Sequence, residues 1–328
     1  MALNFFPKLI YDQLFVKPEY PTKPLPDQTI IVTGANSGLG YEAVKHFVRL
    51  GAKKVILTSR STEAGEKCKS EIEKEKTTNT EIEVWPLDLC SYASVKAFAA
   101  RANALDRLDV LLENAGVSGI EFKMAEEDES TITTNVVSTF LLGLMILPKL
   151  KESAIKFNVR PHWTVVTSEM HFLANMAAER KAENLFEGMS DKSKAKMFQR
   201  YSVSKLMEVL LVHHLVQNYA KTDYPVIINC LNPGLCHSRL IREDMLAVKI
   251  ISSVMKFFLA RTTEMGARTL VAGATAGEES HGTYMSNGVV EPPSAFASSE
   301  EGRKLGERIW KELSVKLERI DPGVTGNL

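Results

Sequence analysis

The sequence predicts an α/β protein: one doubly wound domain with a mostly parallel sheet and helices on both faces. It adds an insertion before Tyr201 and a C-terminal helix. Three observations predict this. Short β-branched apolar runs alternate with stretches of helical periodicity from residue 28 onward. A glycine-rich loop, Thr33-Gly34-Ala35-Asn36-Ser37-Gly38-Leu39-Gly40, joins the first run to the first of these helices. Apolar residues make up 45% of 328, enough to cover a sheet on both sides.

Taken in order, the N-terminal MALNFFPKLIYDQLFV is apolar but broken by Pro7, Lys8 and Asp12. It is too short and polar for a membrane span, and lacks the basic start and cleavage site of a secretory signal. Two readings stay open for it: a helix packed on the chain's own body, or one touching a membrane surface. Residues 17–27 carry four prolines and form an extended lead-in. Strands are expected at 28–33, 54–59, 81–85, 108–112, 162–167 and 225–231. Helices are expected at 39–50, 62–76, 92–104, 129–151 and 201–219. A charged amphipathic helix around 303–318 reads as a C-terminal brace. The resulting division is a lead-in (1–27), a catalytic domain (28–297) and a helical extension (298–328). Segments of about 169–200 and 238–260 flank the expected site as walls or lids. Apolar spacing in 241–260 fits a wall for a large hydrophobic substrate, plain helix packing, or lipid contact.

Lys plus Arg and Asp plus Glu both number 40, so the balance of charge gives no reason to expect nucleic acid or an anionic membrane as partner. The four cysteines, Cys68, Cys90, Cys230 and Cys236, form no C-x-x-C pair or zinc spacing; they read as free thiols in a reducing, cytoplasmic setting, and no metal is expected.

The loop Thr33–Gly40 has the form T-G-x-x-x-G-x-G at a strand-to-helix turn. Glycine lets the backbone turn tightly and approach a pyrophosphate, and the helix beyond presents free N–H groups and a positive dipole end. Cofactor choice is set after the second strand. Ser59 stands where an acid would hold the ribose of NAD, and Arg60 can grip the 2′-phosphate of NADP. Tyr201 and Lys205, in Tyr201-Ser202-Val203-Ser204-Lys205, share one helix face. An ammonium near a phenol with an ordinary pKa of about 10 favours the phenolate, so the pair can exchange a proton with a carbonyl or alcohol oxygen.

The combination of Thr33–Gly40, Asn114-Ala115-Gly116, Ser168 and Tyr201/Lys205 resembles the short-chain dehydrogenase/reductase family over roughly residues 28–290, on a Rossmann-type fold. The resemblance implies a catalytic set of Asn135, Ser168, Tyr201 and Lys205. It also implies that Thr33, Gly34, Asn36, Ser37, Gly38, Leu39 and Gly40 cradle the pyrophosphate. Asp88, next to Leu89, would meet the adenine, and Asn114, Ala115 and Gly116 would line the cleft. Pro233, Gly234 and Ser238 would hold the nicotinamide amide. The cofactor implied is NADP(H). Three departures stand out. Glu113 replaces an asparagine common in relatives, Ser37 stands where some NADP-preferring members have a basic residue, and Ser168 and Tyr201 are much further apart than in compact members, as in the retinol-dehydrogenase-like branch. His171, inside that insertion, is either a substrate contact or a structural residue.

The whole chain is similar to reductases of filamentous fungi, many acting on secondary metabolites. That implies hydride transfer between nicotinamide and a carbonyl or alcohol of a hydrophobic, polyketide-derived molecule. Other readings are a non-redox isomerase, epimerase or cyclase, and a catalytically silent cofactor-binding protein. Members of the family often pair through the long helices after the fourth and fifth expected strands, and a homodimer is what the resemblance implies here.

Overall fold

The computed structural model describes residues 5–221, 223–237 and 259–328. Ser238 and nearly all of the expected 238–260 segment lie outside the described residues. Strands are β1 (Thr29–Val32), β2 (Lys54–Ser59), β3 (Glu81–Pro86), β4 (Val110–Glu113), β5 (Met124–Ala125), β6 (Asp128–Glu129), β7 (His162–Val166), β8 (Ile227–Asn232), β9 (Tyr284–Ser286) and β10 (Val289–Glu291). The main sheet runs β3-β2-β1-β4-β7-β8-β9-β10. Every neighbouring pair is parallel except β9–β10. β1 is buried at every residue, as its β-branched TIIV sequence allows in a strand covered on both faces.

Helices α1 (Phe5–Phe15), α2 (Gly38–Arg49), α3 (Thr62–Glu75), α4 (Tyr92–Asn103), α5 (Ser130–Ile132), α6 (Thr139–Phe157), α7 (Leu185–Ser190), α8 (Met197–Asn218), α9 (Thr263–Ala274) and α10 (Glu300–Ile320) complete the fold. One apolar layer, with Phe47, Ile72 and Leu270, joins α2, α3 and α9 to the sheet. The other, with Phe98, Phe140, Leu206 and Ile309, joins α4, α6, α8 and α10 to the opposite face. Hydroxyls start several helices: Ser61 accepts from Ala64 N (3.2 Å), Thr262 from Met265 N (3.1 Å) and Ser299 from Gly302 N (3.1 Å).

The expected helix 129–151 is not uniform. A π-helical turn, Thr133–Ser138, interrupts it, and α6 then runs on to Phe157 through Pro148. Proline has no N–H for the carbonyl of Leu144, and the side-chain amide of Asn327 donates to that oxygen instead (3.1 Å). The span Ser130–Phe157 is apolar and long enough to cross a membrane, but its most apolar window is 89% buried inside the protein, so its composition serves the core. Gly143 lets this helix lie against the indole of Trp163, since an added Cβ would stand 1.9 Å from the ring. α8 starts one turn earlier than expected, which sets Tyr201 inside the helix. The hairpin β5–β6, the strands β9 and β10 and helix α9 had no expectation behind them.

Candidate active site

The order β3-β2-β1-β4-β7 reverses direction between β1 and β4, and the site is built at the carboxyl ends of these strands. After β1, Gly34 takes φ +63°, and Thr58 on β2 accepts its N–H through Oγ1 at 3.1 Å. Thr33 Oγ1 accepts from Ala115 N (2.9 Å), and Asn114 Nδ2 donates to Thr33 O (2.8 Å). The loops after β1 and β4 are thereby tied together. Gly40 is required by that tie, because a Cβ there would lie 2.5 Å from Asn114 Nδ2. Gly38, at φ +61°, has nothing within 4 Å of an added Cβ. Ser37 makes no side-chain cap, so the first N–H groups of α2, at Gly38, Leu39 and Gly40, remain available. Asn36 lends its carbonyl to Cys68 Sγ (3.2 Å). These features leave the open cradle a pyrophosphate requires.

Ser59 is buried, its hydroxyl accepting from Ser61 N (3.2 Å). Arg60 is exposed, without a protein hydrogen bond or ion pair among the described residues. Asp88 accepts from Cys90 N through Oδ1 (3.0 Å), while Leu89 is buried beside it.

On the other side of β4, Asn135 sits in the π-helical turn, fully buried. Its Oδ1 accepts from Val117 N (2.9 Å), and its Nδ2 donates to Val117 O and Ser204 Oγ (both 3.0 Å). The side chain locks the strand exit to α8 next to Lys205. Gly116 closes the gap, with an added Cβ 3.5 Å from Lys205 Nζ.

Lys205 Nζ lies 5.7 Å from the centre of the Tyr201 ring, and donates to Val166 O (2.9 Å) and Glu208 Oε1 (2.8 Å). An ammonium has three donors, so one is left over. The Ser168 hydroxyl stands beside the Tyr201 phenol and favours its ionised form. Burial raises the phenol pKa of Tyr201; Lys205 and Ser168 pull it back, Glu208 adds to the rise, and it stays above the ordinary value. The resting group is therefore a protonated acid, the form carbonyl reduction consumes. Burial opposes the charge of Lys205, but Glu208 and Tyr201 outweigh it and hold the ammonium above the usual lysine value. Burial pushes Glu208 up to about 7 against the pull of Lys205.

His171 turns out to be a brace. Its Nε2 accepts from Ser294 N (3.0 Å), which leaves the proton on Nδ1 to donate to Ser168 O (2.8 Å). Buried, with its pKa lowered to about 4 mainly by burial, it is a neutral ring orienting the serine backbone. Glu113 has a structural partner: Trp163 Nε1 donates to its Oε2 at 2.6 Å, and burial holds its pKa far above the usual range. Gly234, at φ +77°, donates its N–H to Asn232 Oδ1 (2.9 Å), and Pro233 and Gly234 follow β8 into the same cleft. Sequence reasoning missed Glu208 and Thr58. Glu208 had a signal, an acid on a helix stretch otherwise apolar. Among the described residues no cluster could hold a metal. A separate cavity of about 810 Å³, lined by Glu127, Lys316 and neighbours, is bordered by none of these candidate residues.

Residues 28–156 match the family described as short chain dehydrogenase. The chain is 44% identical over 323 residues to the short chain dehydrogenase/reductase dmxR8 of Cryptosporiopsis sp., covering 97% of this chain and 99% of that one. It is 38% identical to the short chain dehydrogenase FGM9 of Gibberella zeae, covering 94% and 93%. Among solved structures it is similar to the NADPH-bound carbonyl reductase from chicken fatty liver, with TM-score 0.59, 20% identity and coverage of 82% and 100%. It is also similar to the Pseudomonas aeruginosa RhlG/NADP active-site complex, with TM-score 0.60, 22% identity and coverage of 82% and 97%. The chain belongs to the short-chain dehydrogenase/reductase family.

Proposed function

We propose that the protein is an NADP(H)-dependent oxidoreductase acting on a carbonyl or alcohol of a hydrophobic, polyketide-derived small molecule. The observation that carries this is the clustering of Ser168, Tyr201 and the buried Lys205 beside a glycine cradle at the sheet's reversal point. The solved relatives named with NADPH and NADP, and an unpaired Arg60 after β2, support that cofactor. That these relatives come from fungi agrees with the resemblance on which the substrate class rests.

Thr33, Gly34, Asn36, Ser37, Gly38, Leu39 and Gly40 would hold the pyrophosphate, Arg60 the 2′-phosphate, and Asp88 and Leu89 the adenine. Asn114, Ala115, Gly116, Pro233, Gly234 and Ser238 would line the ribose and nicotinamide. When bound, the cofactor supplies or accepts the hydride. Tyr201 holds the proton for the substrate oxygen at Oη, and Ser168 Oγ steadies charge developing on that oxygen. Lys205 offers its remaining donor to the cofactor ribose. Asn135 keeps the Val117 peptide and Ser204 fixed around the ammonium.

The test is a titration with NADPH and NADH, followed by turnover of ketones and aldehydes. NADPH should bind preferentially. Tyr201→Phe should keep that affinity and lose about 10²–10⁴-fold in turnover, the range for removing a general acid. Unchanged turnover would sink the assignment. Activity without net cofactor consumption would favour the isomerase class.

A further inference from the structure

Helix α1 lies before the residues that match the family, yet it reaches the turn after β8. Gln13 is buried, and its side-chain amide donates to two main-chain oxygens far along the chain, Leu235 O at 2.7 Å and Leu259 O at 3.0 Å. Its Oε1 is buried without a hydrogen-bond partner and faces Gly234, where an added Cβ would stand 2.6 Å away. Arg261 answers from the other side. Its Nη2 donates to Asp12 O (2.7 Å), Val16 O (2.9 Å) and Asn287 Oδ1 (2.7 Å). The first two oxygens are at the carboxyl end of α1, where a cation is favoured, and Asp12 O also accepts from Val16 N (3.1 Å). The Arg261 backbone N–H shares Leu235 O with Gln13, at 2.8 Å, and its carbonyl accepts from His237 N (3.1 Å). The turn is also joined to the catalytic side, because Asn232 Oδ1 accepts from both Gly234 N (2.9 Å) and Glu169 N (3.2 Å), next to Ser168.

We propose that Gln13 is a positioning residue for the turn holding Pro233 and Gly234, fixing by its two donated hydrogen bonds the surface on which the nicotinamide end of the cofactor rests. The inference depends on the NADP(H) reading above. Asp12 and Gln13 of α1 face inward, whereas Ile10, Tyr11, Leu14 and Phe15 are exposed, the reverse of a helix held by apolar packing. Its attachment is therefore directional, through Gln13 and the Arg261 contacts, and directional bonds set position where apolar contact would not.

The experiment compares the full chain with Gln13→Ala and Gln13→Glu, using NADPH and 2′-phospho-ADP-ribose as ligands. The second ligand has every part of the cofactor except nicotinamide. Glutamate keeps the size and reach of Gln13 but cannot donate to either carbonyl as a carboxylate. Both variants should bind NADPH about tenfold more weakly, the scale of one or two lost hydrogen bonds. Both should bind 2′-phospho-ADP-ribose as the parent does, with the KM for NADPH rising more than kcat falls. Unaltered NADPH affinity in both variants overturns the proposal. Equal losses for the two ligands also overturn it, because they assign Gln13 a general structural role. If the parent chain binds neither NADPH nor NADH, the nicotinamide reading itself fails, and it does so before any substitution is made.

Discussion

At the scale of single residues the active site is a balance of buried charges around one phenol. Lys205 alone would favour the Tyr201 phenolate, but Glu208, 2.8 Å from its ammonium, works against that. Burial pushes Glu208 up to about 7, and as a carboxylate its charge raises the phenol pKa. Facing it are Lys205 and Tyr201 on its own helix, Thr167 after β7, Glu113 on β4 and Cys230 on β8. Glu208→Gln retains an acceptor for Lys205 and removes the charge. The phenol should then ionise more easily. The alkaline limb of carbonyl reduction, where the proton donor is lost, should move to lower pH, and the rise of alcohol oxidation should move with it. A pH profile of kcat/KM checks this, and an unmoved or upward-moved limb would show that Glu208 carries no charge against Tyr201. The tyrosine, the lysine and the serine were legible from spacing and family resemblance. The role of Glu208 was not, because a carboxylate at i+3 from a lysine is also what any solvated helix carries. Only burial separates the two cases.

At the scale of elements, the early strands and helices fell within a few residues of expectation, because their alternation of apolar runs and caps is local information. The π-helical turn at Asn135 was not local. It follows from two demands on one segment: bonding the Val117 peptide and packing under the sheet. Nor did the sequence announce how Pro148 could sit inside α6. The answer comes from the far end of the chain. Asn327 donates to the carbonyl stranded by proline, and Lys151 Nζ donates back to Asn327 O at 2.7 Å. Replacing Asn327 with Ala should strand that oxygen again and cost about 1–3 kcal/mol, the usual penalty for an unmet buried acceptor. The same substitution in a Pro148→Ala background should cost less, because a helical N–H then serves Leu144. Urea unfolding of the four proteins measures the coupling, and additive effects would remove Asn327 from this role.

At the scale of the whole molecule, the C-terminal extension decides which surfaces remain. α10 lies along α8. Gly306 allows close approach, with an added Cβ 3.2 Å from Leu210 O, and Trp310 Nε1 donates to Tyr219 Oη at 3.0 Å. Ile309, Leu313 and Leu317 are buried in the same layer as Leu206 and Leu210. α6 is covered likewise, by α4 and by the C-terminal turn that carries Asn327. Pairing through these two long helices, which family resemblance implies, would require α10 to leave and expose that apolar layer. Moving so much apolar surface into water costs more than a new helix contact of similar size returns. The chain is therefore expected not to pair through α6 and α8, and to sediment as a monomer at micromolar concentration. Sedimentation equilibrium decides the point. A stable dimer, with Leu210 and Trp310 protected in it, would mean that α10 is exchanged between copies and is not a fixed brace.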